Sequence, residues 1–348
     1  MEKSKNNIIR SDVEQIILKA NLPWGSLKNK VFLFSGAGGI IASFMIETLL
    51  ILNEIRGYNI KLILIARNKQ KAYLRFKKYI DKNEIIIIEK DISDFSHIHN
   101  EKIDYYIHLA SNADPSLFFS DPVGTLKANC LGTINLLESA KINKPEGFLY
   151  FSSGEVYGDI FIDKPIKETD YGIVDLDRTR NCYAEGKRVG EMLCNSYFNQ
   201  FGIKTKIVRP AHTYGLDFDK KDTRAFSNFV DCVLNNQDII LNSDGKAKRS
   251  FLYVADAVLG YFTILLKGEN GHAYNVGNDY EISILDLANT IIKASENSYL
   301  KVKFSDKIIL NSSKSSNGLL DVSKLKQLGW KPVTSEFIGF SKVIKYNK

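Results

Sequence analysis

Short apolar runs alternate with longer amphipathic stretches from Lys30 to Pro210. Val31–Ser35, Lys61–Ala66, Ile85–Glu89, Tyr105–Leu109, Phe148–Ser152 and Lys204–Val208 are mostly apolar segments of strand length. No two-residue hairpin signal joins any pair, and each gap is long enough for a helix. Strands of this kind, apolar on both sides, predict an α/β fold: a doubly wound parallel sheet with helices on both faces. Between the fourth and fifth runs, Val123–Ala140 spaces Leu126, Cys130, Ile134 and Leu137 along one side, as a helix face turned to the core requires.

The flanks of this series read differently. Ser11-Asp12-Val13-Glu14 has the form of a capping box, which predicts a short helix running to about Ala20. Asn21 and Pro23 end it, and Trp24 is placed to anchor this extension, residues 1–29, to the body. After Pro210 the elements shorten, with loop-rich stretches at 215–224 and 242–249 and a Ser/Asn-rich connection at 311–318. The pattern predicts a main domain over 30–210, a returning segment at about 250–268, and a smaller C-terminal α/β lobe within 211–348.

Composition narrows the class. With 348 residues, 44% apolar and 25% charged, the chain can bury a large core, which excludes a disordered chain or a small disulfide scaffold. Lys+Arg of 47 against Asp+Glu of 40 gives +7, but the two signs interleave, so the excess reads as solvated surface and no nucleic-acid partner is expected. Cys130, Cys182, Cys194 and Cys232 form no C-x-x-C pair and read as reduced thiols. His97, His99 and His272 lack metal-ligand spacing, so no metal is expected. The charged start leads into no signal core, and no apolar run approaches a membrane span. A cytoplasmic protein without membrane contact is the expectation.

The first candidate chemistry follows the first strand. Gly36-Ala37-Gly38-Gly39-Ile40-Ile41-Ala42 opens the next helix, where backbone N–H groups and the helix dipole would hold a dinucleotide pyrophosphate. Gly36 suits the tight turn, Gly39 the close approach to phosphate, and Ala42 is small enough for helix–strand packing. This makes the sheet Rossmann-type, with Gly36, Gly38, Gly39 and Ile40 as cofactor contacts. The second strand ends Ile65-Ala66-Arg67, without the carboxylate that usually binds the ribose of NAD. Arg67 either meets a 2′-phosphate, which extends the cofactor to NADP, or is plain surface. Asp91 and Ile92, after the third strand, are placed for the adenine.

The second candidate lies further on. Tyr183-Ala184-Glu185-Gly186-Lys187 puts a phenol and an ammonium on one helix face. A nearby Lys⁺ is expected to lower the phenol pKa, so that Tyr183 serves as base. Ser152-Ser153-Gly154-Glu155-Val156-Tyr157-Gly158 follows the fifth strand, at the sheet edge where ligands bind. The order of glycine loop, serine motif and Y-x-x-x-K is what gives the signal its specificity.

These residues resemble the extended short-chain dehydrogenases/reductases of the NAD-dependent epimerase/dehydratase family, which act on nucleotide sugars. The resemblance also covers His108-Leu109-Ala110, Asp121-Pro122 through Asn129, Arg209-Pro210-Ala211-His212-Thr213-Tyr214-Gly215, Arg249-Ser250-Phe251 and Leu328-Gly329-Trp330. It implies that Tyr183 takes the proton of the sugar C4 hydroxyl, with Ser153 aligning it and Lys187 beside it, while hydride passes to bound NAD or NADP. It further implies cofactor contacts at Leu109, Ala110, Ser111 and Pro210, substrate contacts at Arg249, Arg180, Asn129 and His212, and a homodimer formed through Val123–Ala140 and Tyr183–Phe201.

The branch of the family is less sharply marked. Gly154 stands where 4,6-dehydratases of this family carry an acid, whereas Glu155 keeps a carboxylate for acid, base or water-orienting work. Arg180-Asn181-Cys182-Tyr183-Ala184-Glu185-Gly186-Lys187-Arg188 is similar to the UDP-glucuronate decarboxylase form of the motif. Ala66 and His212 depart from that form. The readings are therefore a 4-epimerase or a decarboxylase, with a net 4-dehydrogenase or 4-ketoreductase and a 4,6-dehydratase variant as alternatives. A non-catalytic regulator is opposed by the intact Ser153, Tyr183 and Lys187.

Overall fold

All six anticipated strands form, and a seventh joins them. The computed structural model describes residues 2–19, 21–80, 84–98, 101–217, 224–305 and 318–348; His99 and the Ser/Asn-rich 311–317 lie outside the described residues. The strands are β1 (Val31–Ser35), β2 (Lys61–Ala66), β3 (Ile85–Glu89), β4 (Tyr105–His108), β5 (Gly147–Phe151), β6 (Thr205–Pro210), β7 (His212–Tyr214), β8 (Ile239–Leu241), β9 (Lys248–Arg249), β10 (Phe251–Tyr253), β11 (His272–Val276), β12 (Ile282–Ser283) and β13 (Val302–Phe304). The helices are α1 (Glu2–Lys19), α2 (Ile40–Arg56), α3 (Lys69–Ile80), α4 (Leu117–Ser120), α5 (Pro122–Asn143), α6 (Cys182–Phe201), α7 (Ala225–Leu234), α8 (Val254–Lys267), α9 (Ile284–Ala294), α10 (Ser323–Gln327) and α11 (Glu336–Asn347).

The main sheet runs β11-β6-β5-β4-β1-β2-β3, and every neighbouring pair is parallel. Strand order reverses between β1 and β4, which opens a crevice at the carboxyl ends of those strands. The central strands β1, β2, β4 and β5 are mainly apolar because both of their faces are covered. Phe32, Phe34, Leu62 and Leu64 point into one core, shared with α2 and α8. Leu33, Ile63, Ile65, Tyr106, Phe148 and Tyr150 fill the other.

Three expectations change. The helix anticipated from Ser11 begins at Glu2, so Ser11–Glu14 lies inside it rather than at its cap. The reason is tertiary: Asp12 is buried, accepting from the Tyr253 hydroxyl at 2.5 Å and from the Lys342 ammonium on α11. The returning segment continues past residue 268, since β11 forms the edge of the main sheet. In α5 the buried face is Thr125, Asn129, Gly132, Thr133, Leu136, Leu137 and Ala140, whereas Leu126 is 38% exposed. Polar residues occupy this buried face because they are hydrogen-bonded there: the Asn129 amide to the Thr125 carbonyl, and the Thr133 hydroxyl to the Asn129 carbonyl. Trp24 does anchor the extension, meeting Phe262 of α8 edge-on at 5.4 Å.

Candidate active site

Three consecutive residues at the end of β5 hold three consecutive turns of α6. The Phe151 carbonyl accepts from the Lys187 ammonium at 2.7 Å, and the Ser152 hydroxyl donates to the Glu191 carboxylate at 2.5 Å. The Ser153 hydroxyl is the hydrogen-bond partner of the Tyr183 phenol. Tyr183, Lys187 and Glu191 share one face of the helix by their four-residue spacing. The strand and helix can approach this closely because a Cβ at Gly190 would overlap the Tyr150 hydroxyl. Glu191 is in turn fixed by Arg209 of β6, at 2.9 and 2.6 Å, so the helix is tied to two strands.

Electrostatics at this face run against the expectation for Tyr183. Enclosure of its phenol pushes the pKa up to about 12, offset in part by the Ser153 hydrogen bond and reinforced by the Glu155 charge. Lys187 does not lower it, because burial brings the ammonium itself down to about 7, with Glu191 pulling the other way. The phenol ring is stacked on Phe118 of α4, centroids 4.7 Å apart at 16°. Phe118 is buried and its carbonyl also meets the Cys182 thiol at 3.7 Å, so α4 fixes the start of α6. Phe118, Ser152, Glu191 and Arg209 were not singled out from the sequence as site residues. Glu191 alone carried a usable signal, one further four-residue step beyond Tyr183 and Lys187.

The glycine loop lies at the crevice. Gly36 has φ +73°, and a Cβ there would stand 2.7 Å from the Ala110 amide nitrogen, so only glycine lets β1 turn against the end of β4. A Cβ at Gly38 would meet nothing within 4 Å, and α2 begins after Gly39 with no side-chain cap on its first-turn amides. Nearby, the Ser111 hydroxyl is buried without a hydrogen-bond partner among the described residues. An open glycine loop, an uncapped helix start and an orphaned hydroxyl together fit a dinucleotide. Ile40 begins α2; Leu109 and Ala110 lead from β4 to Ser111, their amides bonded to the Ser35 carbonyl and hydroxyl. Arg67 is exposed at the end of β2, and Asp91 caps the short turn that contains Ile92. Pro210 ends β6.

Several of the residues expected to meet the sugar nucleotide lie near one another. Glu155 and Arg180 form an exposed ion pair at 3.1 Å. His212 of β7 lies within the electrostatic reach of Arg249, Arg224 and Glu155; desolvation first, then the two arginines, lower its pKa. Asn129 stands apart. It is wholly buried at the α5–α6 contact, where a Cβ on Gly186 would come within 3.1 Å of its own Cβ. Its position is therefore within the helix pair.

A doubly wound sheet, a glycine loop and a Ser–Tyr–Lys group at its edge define a dinucleotide-dependent enzyme of the short-chain dehydrogenase/reductase type. The pattern of the NAD dependent epimerase/dehydratase family matches residues 33–277, and the chain belongs to that family. It is 33% identical over 306 residues to UDP-glucuronic acid decarboxylase 5 of Arabidopsis thaliana, covering 87% of this chain and 85% of that one. Among solved structures it is similar to UDP-glucose 4-epimerase of Thermotoga maritima with UDP-glucose, at TM-score 0.77 and 21% identity, over 91% of this chain and 98% of that one. UDP-glucuronic acid 4-epimerase of Bacillus cereus, with UDP-glucuronic acid and NAD, gives TM-score 0.74 and 23% identity over the same shares.

Proposed function

We propose that the chain oxidises a nucleotide-diphosphate sugar at C4 and that the sugar is a hexuronate, which then loses CO₂ as in a UDP-glucuronate decarboxylase. The observation that carries this reading is the Glu155–Arg180 pair beside the Ser153–Tyr183–Lys187 group. As the phenolate, a minor form at neutral pH with the pKa at about 12 and one that a bound cationic nicotinamide would favour, Tyr183 accepts the C4 hydroxyl proton while the C4 hydrogen leaves as hydride, for which bound NAD supplies the acceptor. A C4 ketone lies β to the C6 carboxylate, so the C5–C6 bond breaks with its electron pair passing into the carbonyl, and CO₂ departs. C5 takes up one proton, hydride returns to the C4 carbon, and the Tyr183 proton returns to the C4 oxygen. The net change is one CO₂ released and one proton consumed.

Arg180 supplies a cation for the C6 carboxylate, and Glu155, whose charge reaches the phenol, is the acid for protonating C5. Arg249, with Arg224 and His212 around it, forms the positive side suited to the diphosphate. Gly154 offers no acid for loss of a C6 hydroxyl, which counts against dehydration. Incubation with UDP-, dTDP-, GDP- and CDP-sugars, read by mass spectrometry, tests the reading. Loss of CO₂ from a uronate supports it, and an unchanged mass with inverted C4 identifies a 4-epimerase instead.

A homodimer through α5 and α6 belongs to the same proposal. Val123, Leu131 and Ile142 on α5 and Val189 and Met192 on α6 are all more than 40% exposed, a concentration of apolar side chains that water disfavours. A cytoplasmic setting is supported by four cysteines that are all free. Among the described residues no helix is long and apolar enough to cross a membrane.

A further inference from the structure

The adenosine end of the cofactor site in this chain carries a different charge pattern from that of an NAD-selective fold. In dinucleotide folds a carboxylate near the end of the second strand binds the ribose hydroxyl of NAD, and an arginine there accommodates the 2′-phosphate of NADP. Here β2 ends on Ala66, and Arg67 follows, exposed to solvent. Among the described residues its guanidinium has no hydrogen-bonded or ion-paired partner.

The acids that face Arg67 are occupied by other donors. Asp91 feels its charge, but the Asp91 carboxylate accepts from the Ser93 amide at 2.9 Å and the Ser93 hydroxyl at 2.7 Å. Glu89 lies opposite Ala66 in the β2–β3 register and accepts from the Lys69 amide at 3.2 Å. A second arginine comes from α3. Arg75 donates to the Gly38 carbonyl at 3.2 Å and the Ser43 hydroxyl at 2.7 Å, and its far side is paired with Asp217. Arg75 therefore braces the glycine loop and adds positive field, while Arg67 keeps its donors available.

We propose that Arg67, standing beside the missing ribose carboxylate, makes this site accept the 2′-phosphate of NADP at least as well as the ribose hydroxyl of NAD. The proposal rests on the chain binding a nicotinamide dinucleotide, as the functional reading above requires. A phosphate group and the Arg67 fork would form charge-assisted hydrogen bonds that the ribose hydroxyl cannot match. Ala66→Asp would place a carboxylate back at the strand end and oppose that phosphate.

The test uses the full chain. Nucleotide carried through purification is extracted and identified by mass, and the stripped protein is titrated with NAD⁺ and NADP⁺ by intrinsic fluorescence. In the wild type NADP⁺ binds no more weakly than NAD⁺. Arg67→Ala moves the affinity ratio toward NAD⁺ by at least fivefold, with about tenfold expected for one charge-assisted bond, and Ala66→Asp moves it the same way. Weaker binding of NADP⁺ than of NAD⁺ in the wild type, or a smaller shift in Arg67→Ala, overturns the proposal while leaving the catalytic reading intact. Binding of neither dinucleotide overturns both.

Discussion

The Lys187 ammonium is held by the Phe151 carbonyl at 2.7 Å, one residue before the serine that binds Glu191 and two before the serine that meets Tyr183. One strand end thus sets the height of the base, its cationic neighbour and the carboxylate behind them along α6. A shift of either element would displace all three together.

This placement has a cost in stability. Lys187 titrates at about 7 when folded against an ordinary 10.5, so between those values the unfolded chain binds more protons. Its contribution to stability therefore rises with pH from about 7 to 10.5, and below 7 it is a constant penalty. Lys187→Met removes that penalty and loses the bond to Phe151. The expected outcome is a gain of about 1–3 kcal/mol at pH 6 that shrinks towards pH 10, with activity down about 100-fold or more. Denaturant melts of both proteins across this pH range check it; a mutant less stable at pH 6 would contradict the assignment.

Phe118 fixes the attitude of the Tyr183 ring by stacking on it. Phe118→Leu retains an apolar side chain but loses the flat contact, for which about 0.5–1.5 kcal/mol is typical. A fall in kcat of about tenfold is expected, with KM moved less than threefold. Steady-state kinetics separate this from a binding defect, in which KM alone would rise.

Glu191 joins the catalytic helix to β5 and β6 through Ser152 and Arg209, all of them buried. Glu191→Gln leaves the Arg209 cation without its carboxylate, and a loss of about 3–5 kcal/mol is expected from urea unfolding. A loss under 1 kcal/mol would show that the network is not what holds α6 in place.

The sheet was legible in the sequence because strands covered on both faces must be apolar throughout, as Ile63, Leu64 and Ile65 are. The glycine loop and Tyr183–Lys187 were legible because their chemistry depends on local spacing. The buried face of α5 was not. Thr125, Asn129 and Thr133 are inside through hydrogen bonds, with Thr133 also 3.0 Å from His108, and polarity suggested a surface. The seventh strand was hidden by its polar His272 and Asn275, and Phe118 by its distance along the chain from Tyr183. The Tyr183 titration was misjudged because a neighbouring charge can be read from spacing, whereas desolvation depends on packing.

The misread face of α5 leads to a prediction about assembly. Leu126 and Leu131 are exposed there, as Val189 and Met192 are on α6. Met192→Glu places a charge in the proposed interface and is expected to convert a dimer into a folded monomer. Light scattering after size exclusion, with circular dichroism for the fold, decides this. A monomeric wild type would remove the interface.

The most direct measurement is turnover of UDP-glucuronate by the NAD-loaded protein, followed by mass spectrometry beside Tyr183→Phe. The account predicts release of CO₂ and a UDP-pentose without net accumulation of NADH, and no product from Tyr183→Phe. Turnover that survives Tyr183→Phe would contradict the central role given to that phenol.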